Sequence, residues 1–354
     1  MMPSSAFAFK ANADLLNPLH MPWLQDVARR LPDELPGALL LRGQAGIGKT
    51  LFLMSLAKAA LCGQGTGLLQ GCGQCADCTL FAAGTHPDFR LIEPDTGETI
   101  DETGEEGARA KRKRAQIPVS AVRGLFDIVA MTPSRGRAKV IVITPAESMH
   151  PSAANALLKI LEEPTAKTYF LLASSHPHRV LATIKSRCFQ LPVPGPQLNS
   201  ALVWLKRVRD EDRAEEAKHR DRVASARAMA GYAPLAALQL LDDEEFWAAR
   251  ASLVDKLGRT QDVVALAESA DILDPPRIAQ MLLMWGYDML ALKSGCNVRF
   301  FTDHSQALQN AVRSTPATEI SRWLDRALEF ARSSGHPLNR RLSLESLFAN
   351  VPSA

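Results

Sequence analysis

A glycine-rich loop at residues 43–50 has the composition and spacing of a phosphate-binding site. It reads GQAGIGKT, which matches the P-loop pattern G-x-x-x-x-G-K-[ST]. The apolar run Ala38–Leu41 precedes it and a helical pattern follows it. Glycines expose backbone N–H groups to phosphates, and the following helix directs the positive end of its dipole toward them. The alternatives are a chance match and a loop that no longer binds.

Each polar group of this loop has an expected role in nucleotide binding. Lys49 would contact the β and γ phosphates of ATP or ADP, and Thr50 would bind Mg²⁺. The candidate nucleotide-binding residues are Gly43, Gly46, Gly48, Lys49 and Thr50.

The groups needed for rapid hydrolysis are missing from the expected positions. A P-loop ATPase holds Mg²⁺ with an aspartate at the end of a second strand, and another group orients the attacking water. The matching strand here is Lys139–Thr144, and Thr144 and Pro145 stand where the two acids are expected. Glu147 is an alternative base, although it lies three residues beyond the strand end. We therefore expect hydrolysis by this chain to be weak or absent.

Four cysteines form a candidate metal site. They are spaced C-x9-C-x2-C-x2-C, at Cys62, Cys72, Cys75 and Cys78. Four thiolates at this spacing suit the tetrahedral coordination of Zn²⁺ and leave no position for water, so we predict a structural zinc ion. The alternatives are four buried free thiols, or a site in which His86 replaces Cys62.

Two charged features lie near predicted element ends. Glu162 and Glu163 end the helical pattern that begins at Pro151, where the helix dipole disfavours anions by ~0.3–1 kcal/mol each. We expect either a nearby cation or a partner protein to offset them, the alternative being tolerated exposed carboxylates. Arg187 lies between a short predicted helix, 178–185, and a strand. An arginine at a domain edge can reach a neighbour's γ-phosphate, but most arginines are solvated surface residues.

The elements that position these residues alternate between strand and helix. Helical patterns cover residues 50–62, 118–131 and 151–163, and they separate strands that are continuous apolar runs. The candidate strands are Gly37–Leu41, Phe89–Glu93, Lys139–Thr144, Tyr169–Ser174 and Phe189–Val193. Alternation of this kind predicts an α/β domain whose parallel sheet is covered on both faces.

The rest of the chain is predicted to be helical. Helical periodicity covers residues 197–241, and residues 243–349 contain four or five predicted helices, one of them almost wholly apolar near 277–292. We therefore predict three domains: a P-loop domain at 1–193 with the metal module 62–78 inserted, a small helical lid at 194–242, and an all-α domain at 243–354. Segment 94–114 is first acidic and then basic, which suits a solvated loop or a phosphate contact.

The composition is that of a globular protein rather than a membrane protein. Hydrophobic residues make up 46% of the 354 residues and charged residues 22%, and the net charge is +3. Apolar runs do not reach the ~20 residues that span a bilayer, and we see no secretory signal. We expect a cytoplasmic protein with reduced cysteines.

Several of these motifs together resemble the clamp-loader family of AAA+ proteins. The resemblance is carried by GQAGIGKT, by the cysteine cluster directly after the P-loop helix, by NALLKILEEP at Asn155–Pro164 and by SRC at Ser186–Cys188. HPD at His86–Asp88 and PWL at Pro22–Leu24 add weaker support. The motifs cover the first two predicted domains, and the third is similar only in its helical character.

The resemblance implies a rigid, non-motor subunit. The family's motor subunit, gamma/tau, carries Asp-Glu where this chain has Thr144-Pro145, and a nucleotide-sensing arginine where this chain has Pro234. Implied partners are gamma/tau and delta subunits in a five-membered ring, the sliding clamp, and primer–template DNA. Arg187 would be an arginine finger acting in trans on ATP held by the adjacent gamma/tau subunit. Residues after 243 would form the oligomerising collar.

Three other interpretations remain. An active ATPase motor subunit would need the acidic pair that is missing after Ile143. A free-standing zinc module for nucleic acid would need basic and aromatic residues around its cysteines, which are flanked instead by leucine, glutamine, glycine and alanine. A small P-loop kinase would not explain three domains or Arg187.

Overall fold

The computed structural model places most of the chain in two compact units. It describes residues 17–65, 67–94, 116–162, 164–208, 217–257, 262–333 and 340–351. The first unit contains the described residues up to 208 together with Ala233–Leu235, and the second contains the other described residues from 217 onward. The three-domain division made from the sequence stays a prediction.

A parallel sheet with strand order β2-β3-β4-β1-β5 forms the centre of the first unit. The strands are β1 (Ala38–Arg42), β2 (Phe89–Ile92), β3 (Lys139–Ile143), β4 (Thr168–Ser174) and β5 (Phe189–Pro192). Every predicted strand is present, with ends displaced by at most one residue. In register, Leu39 of β1 lies between Leu171 of β4 and Phe189 of β5.

Helices cover both faces of this sheet. Those of the first unit are α1 (Pro22–Ala28), α2 (Lys49–Leu61), α3 (Ala76–Ala82), α4 (Val119–Arg123), α5 (Leu125–Ala130), α6 (Pro151–Glu162), α7 (Ala182–Lys185) and α8 (Leu198–Val208). Helices α4 to α7 pack on the face that carries Leu40, Ile141 and Phe170, while α2 packs against β3 and β4. Burial on both faces explains why the strands are continuous apolar runs.

Two predicted helices are interrupted in the structure. The single helix expected at 118–131 is divided into α4 and α5 at Gly124, a residue of low helix propensity. The helix expected at 178–185 is a 3₁₀ turn, Pro177–Arg179, followed by α7. Both changes leave the following strand where it was expected.

The regular secondary structure of the second unit is helical within its described part. Its helices are α9 (Ala217–Met229), α10 (Pro234–Leu241, which begins in the first unit), α11 (Glu244–Leu257), α12 (Val263–Ala270), α13 (Pro275–Lys293), α14 (Ser305–Ser314), α15 (Ala317–Ser333) and α16 (Arg340–Phe348). The expectation of four or five helices after residue 243 was too low, because breaks at Asp262 and Thr315–Pro316 divide the pattern into α11 to α16 within the described residues. Trp285 of α13 and Trp323 of α15 are almost fully buried in its core.

Some sequence-based expectations fall outside the described residues. Segment 94–114, apart from Pro94, is one of these, and Glu163 is another. Within the described part, no helix is both long enough and apolar enough to span a bilayer.

Candidate functional site

The glycine-rich P-loop connects β1 to α2 at the carboxyl end of the sheet. Its last glycine, Gly48, precedes the helix and has φ of 98°. This left-handed conformation is accessible to glycine without the steric cost that a side chain would add. Helix α2 begins at Lys49, so its unpaired first-turn N–H groups and positive dipole end lie at the loop. The strand, loop and helix expected around the P-loop are all present.

The ammonium of Lys49 is enclosed by the protein itself. Its Nζ donates to the carbonyl oxygens of Gly43 at 2.7 Å and Gln44 at 2.6 Å, and to Ser175 Oγ at 3.0 Å. These bonds use all three ammonium donors, so a phosphate has to displace at least one acceptor. Burial lowers the pKa of Lys49 to about 8, although the charge of Glu147 opposes that shift.

Two contacts that the sequence did not predict hold the P-loop in place. Trp23 Nε1 donates to the carbonyl oxygen of Ile47 at 2.8 Å. The backbone N–H of Leu235 donates to the carbonyl oxygen of Gly46 at 2.9 Å. Leu235 follows Pro234, the position at which the family's motor subunit was expected to carry an arginine. This segment therefore meets the loop through a backbone bond and an apolar side chain.

Thr144 occupies the position that the sequence analysis compared with the acidic pair of an ATPase. It follows β3, and its Oγ1 lies 3.1 Å from Oγ1 of Thr50, the expected Mg²⁺ ligand. A neutral hydroxyl at this place supplies no negative charge to a metal ion. Thr144 therefore stands in place of the acidic residue expected of a P-loop ATPase, beside Thr50.

Glu147 forms hydrogen bonds with the loop after β4. Its Oε1 accepts hydrogen bonds from the backbone N–H groups of Ser175 at 2.9 Å and His176 at 3.1 Å, and lies 3.2 Å from His176 Nδ1. Burial alone would raise the pKa of Glu147, but hydrogen bonds from its own and neighbouring groups outweigh burial and lower it. Since the N–H of Ser175 is bound to Glu147, this carboxylate helps to place the hydroxyl that Lys49 contacts.

The four candidate thiols meet in one cluster at the far end of α2. All four ligand atoms lie within 4.8 Å of one another, and the Sγ pairs Cys62–Cys75 and Cys72–Cys78 are each 4.0 Å apart. Tetrahedral zinc with Zn–S bonds of about 2.3 Å would place its sulfurs about 3.8 Å apart. The donor set and its spacing therefore fit a tetrahedral metal ion bound by thiolates.

Backbone N–H groups point at the sulfurs of this cluster. The N–H of Cys72 lies 3.3 Å from Cys62 Sγ, and the N–H of Cys75 lies 3.3 Å from Cys72 Sγ. Burial opposes ionisation of Cys62, yet hydrogen bonds to its sulfur lower its pKa to about 6. Gly73, with φ of 76°, makes the tight turn between the second and third cysteines.

His86 is not part of the thiol cluster. Its buried ring accepts the N–H of Asp88 at Nδ1, and its Nε2 lies 3.5 Å from Asp77 Oδ1. Asp77 also accepts a hydrogen bond from Arg135. Asp88 of the HPD motif accepts the backbone N–H groups of Ser134 and Arg135, so the motif joins the cysteine module to the segment before β3. The alternative in which His86 replaces Cys62 finds no support in this geometry.

Arg187 lies at the edge of the sheet, between α7 and the edge strand β5. Its Nη2 donates to Glu162 Oε1 at 2.6 Å, and its Nη1 donates to the carbonyl oxygen of Thr183 at 3.1 Å. Its side chain is 35% exposed, and that of Glu162 is 52% exposed. The cation expected to offset the carboxylate at the end of α6 is therefore Arg187.

The fold and the loop define the class of this protein. A parallel α/β sheet with a P-loop after β1, followed by helices, is the AAA+ P-loop architecture that the sequence predicted. Residues 24–197 match the family model described as "DNA polymerase III, delta subunit".

Whole-chain comparisons identify the family more closely. The DNA polymerase III subunit delta′ of Pseudomonas aeruginosa is 36% identical over 345 residues, covering 94% of this chain and 98% of the relative. The protein of the same name from Yersinia pestis is 34% identical, covering 92% and 89%. That of Escherichia coli is 34% identical over 62% of this chain and 58% of the relative. The chain belongs to the DNA polymerase III delta-prime subunit family.

A solved structure also matches most of the chain. It is a gamma subunit-related protein of DNA polymerase III from Thermotoga maritima, 17% identical, with a TM-score of 0.41 over 95% of this chain and 98% of the other.

Proposed function

We propose that this chain is a non-motor subunit of a DNA polymerase III clamp loader, which helps to load the sliding clamp onto primed DNA during replication. The observation that carries the non-motor role is the pairing of Thr50 with Thr144, 3.1 Å apart, at the site where a motor subunit needs acidic groups. Membership of the delta-prime family supports the clamp-loader assignment.

Arg187 is proposed to act in trans as an arginine finger. It would stabilise the charge that develops on ATP bound to a neighbouring gamma/tau subunit, a role worth about 10³–10⁵ in rate where it has been measured. Its place beside the edge strand and its partial exposure support this assignment, because a guanidinium must be reachable from outside the chain to serve a neighbour.

The chain is proposed to hold one structural Zn²⁺ through Cys62, Cys72, Cys75 and Cys78. When bound, the ion would join the end of α2 to α3 and take no part in catalysis. ATP or ADP with Mg²⁺ would bind the P-loop at Gly43, Gly46, Gly48, Lys49 and Thr50. Lys49 would there exchange a protein acceptor for a phosphate oxygen.

The proposed partners are gamma/tau and delta subunits in a five-membered ring, the sliding clamp, and primer–template DNA through the assembled complex, all in the cytoplasm. We propose that residues 194–242 form the lid and residues 243–354 the collar through which the ring assembles.

The deciding measurement is ATP turnover by the chain alone and by the reconstituted complex with clamp and primed DNA. The chain alone should be inactive. In the complex, Arg187→Ala should lower turnover at the neighbouring ATP site by about 10³-fold, with zinc content, folding and ring assembly intact. Arg179→Ala, which removes another exposed arginine of the first unit, is the matched control and should leave turnover intact.

The opposite results would assign a different role to this chain. Unchanged turnover and clamp loading with Arg187→Ala would refute the finger. Brisk hydrolysis by the chain alone, abolished by Lys49→Ala, would make the chain an active motor subunit, the alternative that its intact P-loop leaves open.

A further inference from the structure

The arginine proposed as a finger already has an anionic partner within its own chain. Arg187 Nη2 is 2.6 Å from Glu162 Oε1, and the carbonyl oxygen of Thr183 takes a second guanidinium hydrogen. Glu162 is the last residue of α6. The guanidinium is thus held at one point on the surface, between the end of α6 and the end of α7.

The position of Glu162 in its helix makes this partner unusual. A carboxylate at a helix C-terminus is disfavoured by the dipole, and a neighbouring cation offsets that cost. If Arg187 moves to a phosphate on another subunit, Glu162 loses its cation and again faces the negative helix end alone. The movement therefore has an electrostatic cost that originates in Glu162.

The charge of Glu162 acts in the same direction on the phosphate itself. The carboxylate of Glu162 lies 2.6 Å from Nη2 of Arg187, so a phosphate oxygen that bonds to the same guanidinium comes near a second anion, and the two repel each other. Both groups are partly exposed, so the pair is weak enough to break and re-form. These properties suit a reversible competitor better than a permanent anchor.

We propose that Glu162 competes in cis with the nucleoside triphosphate in trans for Arg187, and so holds the finger back until the neighbouring site is correctly assembled. This inference rests on the proposed function of Arg187. Glu162 is a positioning residue here, because it acts only through the arginine. The ligand for which it competes is a triphosphate bound by another subunit.

The test uses the reconstituted clamp loader with Glu162→Gln, which keeps the size and an acceptor oxygen but removes the charge. Turnover without clamp and DNA should rise by about two- to fivefold, the range expected for an exposed ion pair. With clamp and primed DNA present, where the finger is already engaged, the rise should be smaller. Glu34→Gln, an exposed carboxylate of a loop before β1, is the control and should change neither rate.

Combining substitutions separates the two proposals. In an Arg187→Ala complex, Glu162→Gln should have no further effect, since its action requires the arginine. Turnover that stays constant or falls with Glu162→Gln alone, while Arg187→Ala lowers it, would refute the competition and leave the finger standing. An equal rise in both backgrounds would also refute it. If Arg187→Ala changes nothing, the finger itself is wrong and the competition fails with it.

Discussion

Lys49 is the side chain through which the proposed phosphate site would depend on pH. Its ammonium is buried among two carbonyl oxygens and the hydroxyl of Ser175, and burial lowers its pKa to about 8. An ammonium must be protonated to attract phosphate, so binding requires the charged form. A lysine with its ordinary pKa would remain charged well above pH 9.

We expect the affinity for ATP or ADP to be constant from pH 7 to just below 8 and then to fall, by up to about tenfold per pH unit. The sign follows because bound phosphate favours the charged ammonium, which the free site loses as pH rises through about 8. Equilibrium titration with a fluorescent ADP analogue at pH 7, 8 and 9 measures this. Lys49→Ala, which has no ammonium to titrate, should bind weakly at every pH and show no such decline. An affinity of the unmodified chain that does not change with pH would contradict the proposed role of Lys49 in phosphate binding.

At the scale of elements, the metal module depends on helix termini. Cys62 directly follows α2 and Cys75 caps α3, so one ion would join the end of the first helix to the start of the second. Asp77 and Arg135 add a charged contact to the segment before β3. The thiol cluster therefore adds to the packing of Phe81 on Phe89 in holding α3 against the rest of the first unit.

Cys72→Ser should remove the proposed zinc and lower the thermal stability of the chain, because three thiolates and a hydroxyl bind zinc more weakly than four thiolates. Metal analysis of the purified chain should show about one zinc per molecule before the change and a large loss after it. Cys296→Ser alters an exposed thiol outside the cluster and is the control. Full zinc content in Cys72→Ser, or equal loss in both variants, would argue against the four-thiol site.

The elements also show which features the sequence could predict. The P-loop and the cysteine cluster could be predicted, because their residues are close in sequence and their spacing is typical of one kind of site. The contacts of Lys139 could not be predicted, since the sequence assigned this residue only to a strand. Its buried Nζ bonds to the carbonyl oxygens of Ile128 and Val129 at the end of α5. The bond from Trp23 to Ile47 joins residues 24 positions apart. Contacts of this kind depend on tertiary packing, which local periodicity does not encode.

At the scale of the whole molecule, the second unit has a buried ion pair of its own. In the second unit the nearly buried Arg250 forms a two-point ion pair with Asp303, at 2.7 and 2.8 Å, and lies over the ring of Phe301. Burial would raise the pKa of Asp303, but its contacts with His304 and Arg250 hold it well below its usual range. This contribution to stability is present above about pH 4 and is lost as pH falls further.

Arg250→Ala should destabilise the second unit by about 3–5 kcal/mol, because it leaves Asp303 without its buried partner. Thermal unfolding should reveal the loss, and ring assembly should weaken if residues 243–354 form the collar. Zinc content should be retained, since the thiols belong to the first unit. Arg341→Ala breaks an exposed ion pair with Glu345 and should change little. Equal losses of thermal stability in the two variants would contradict the prediction that the buried pair of Arg250 and Asp303 stabilises the second unit more than an exposed pair does.

Helix α2 joins the two candidate ligand sites of the first unit directly. It starts at Lys49 in the phosphate loop and ends one residue before Cys62 in the thiol cluster, so its 13 residues set the spacing between the sites. At 1.5 Å per residue the spacing is ~20 Å. A paramagnetic ion such as Co²⁺ in the cluster would then lie at a fixed distance from the P-loop. Its effect on the ³¹P relaxation of a bound nucleotide would report occupancy of the loop without any need for hydrolysis.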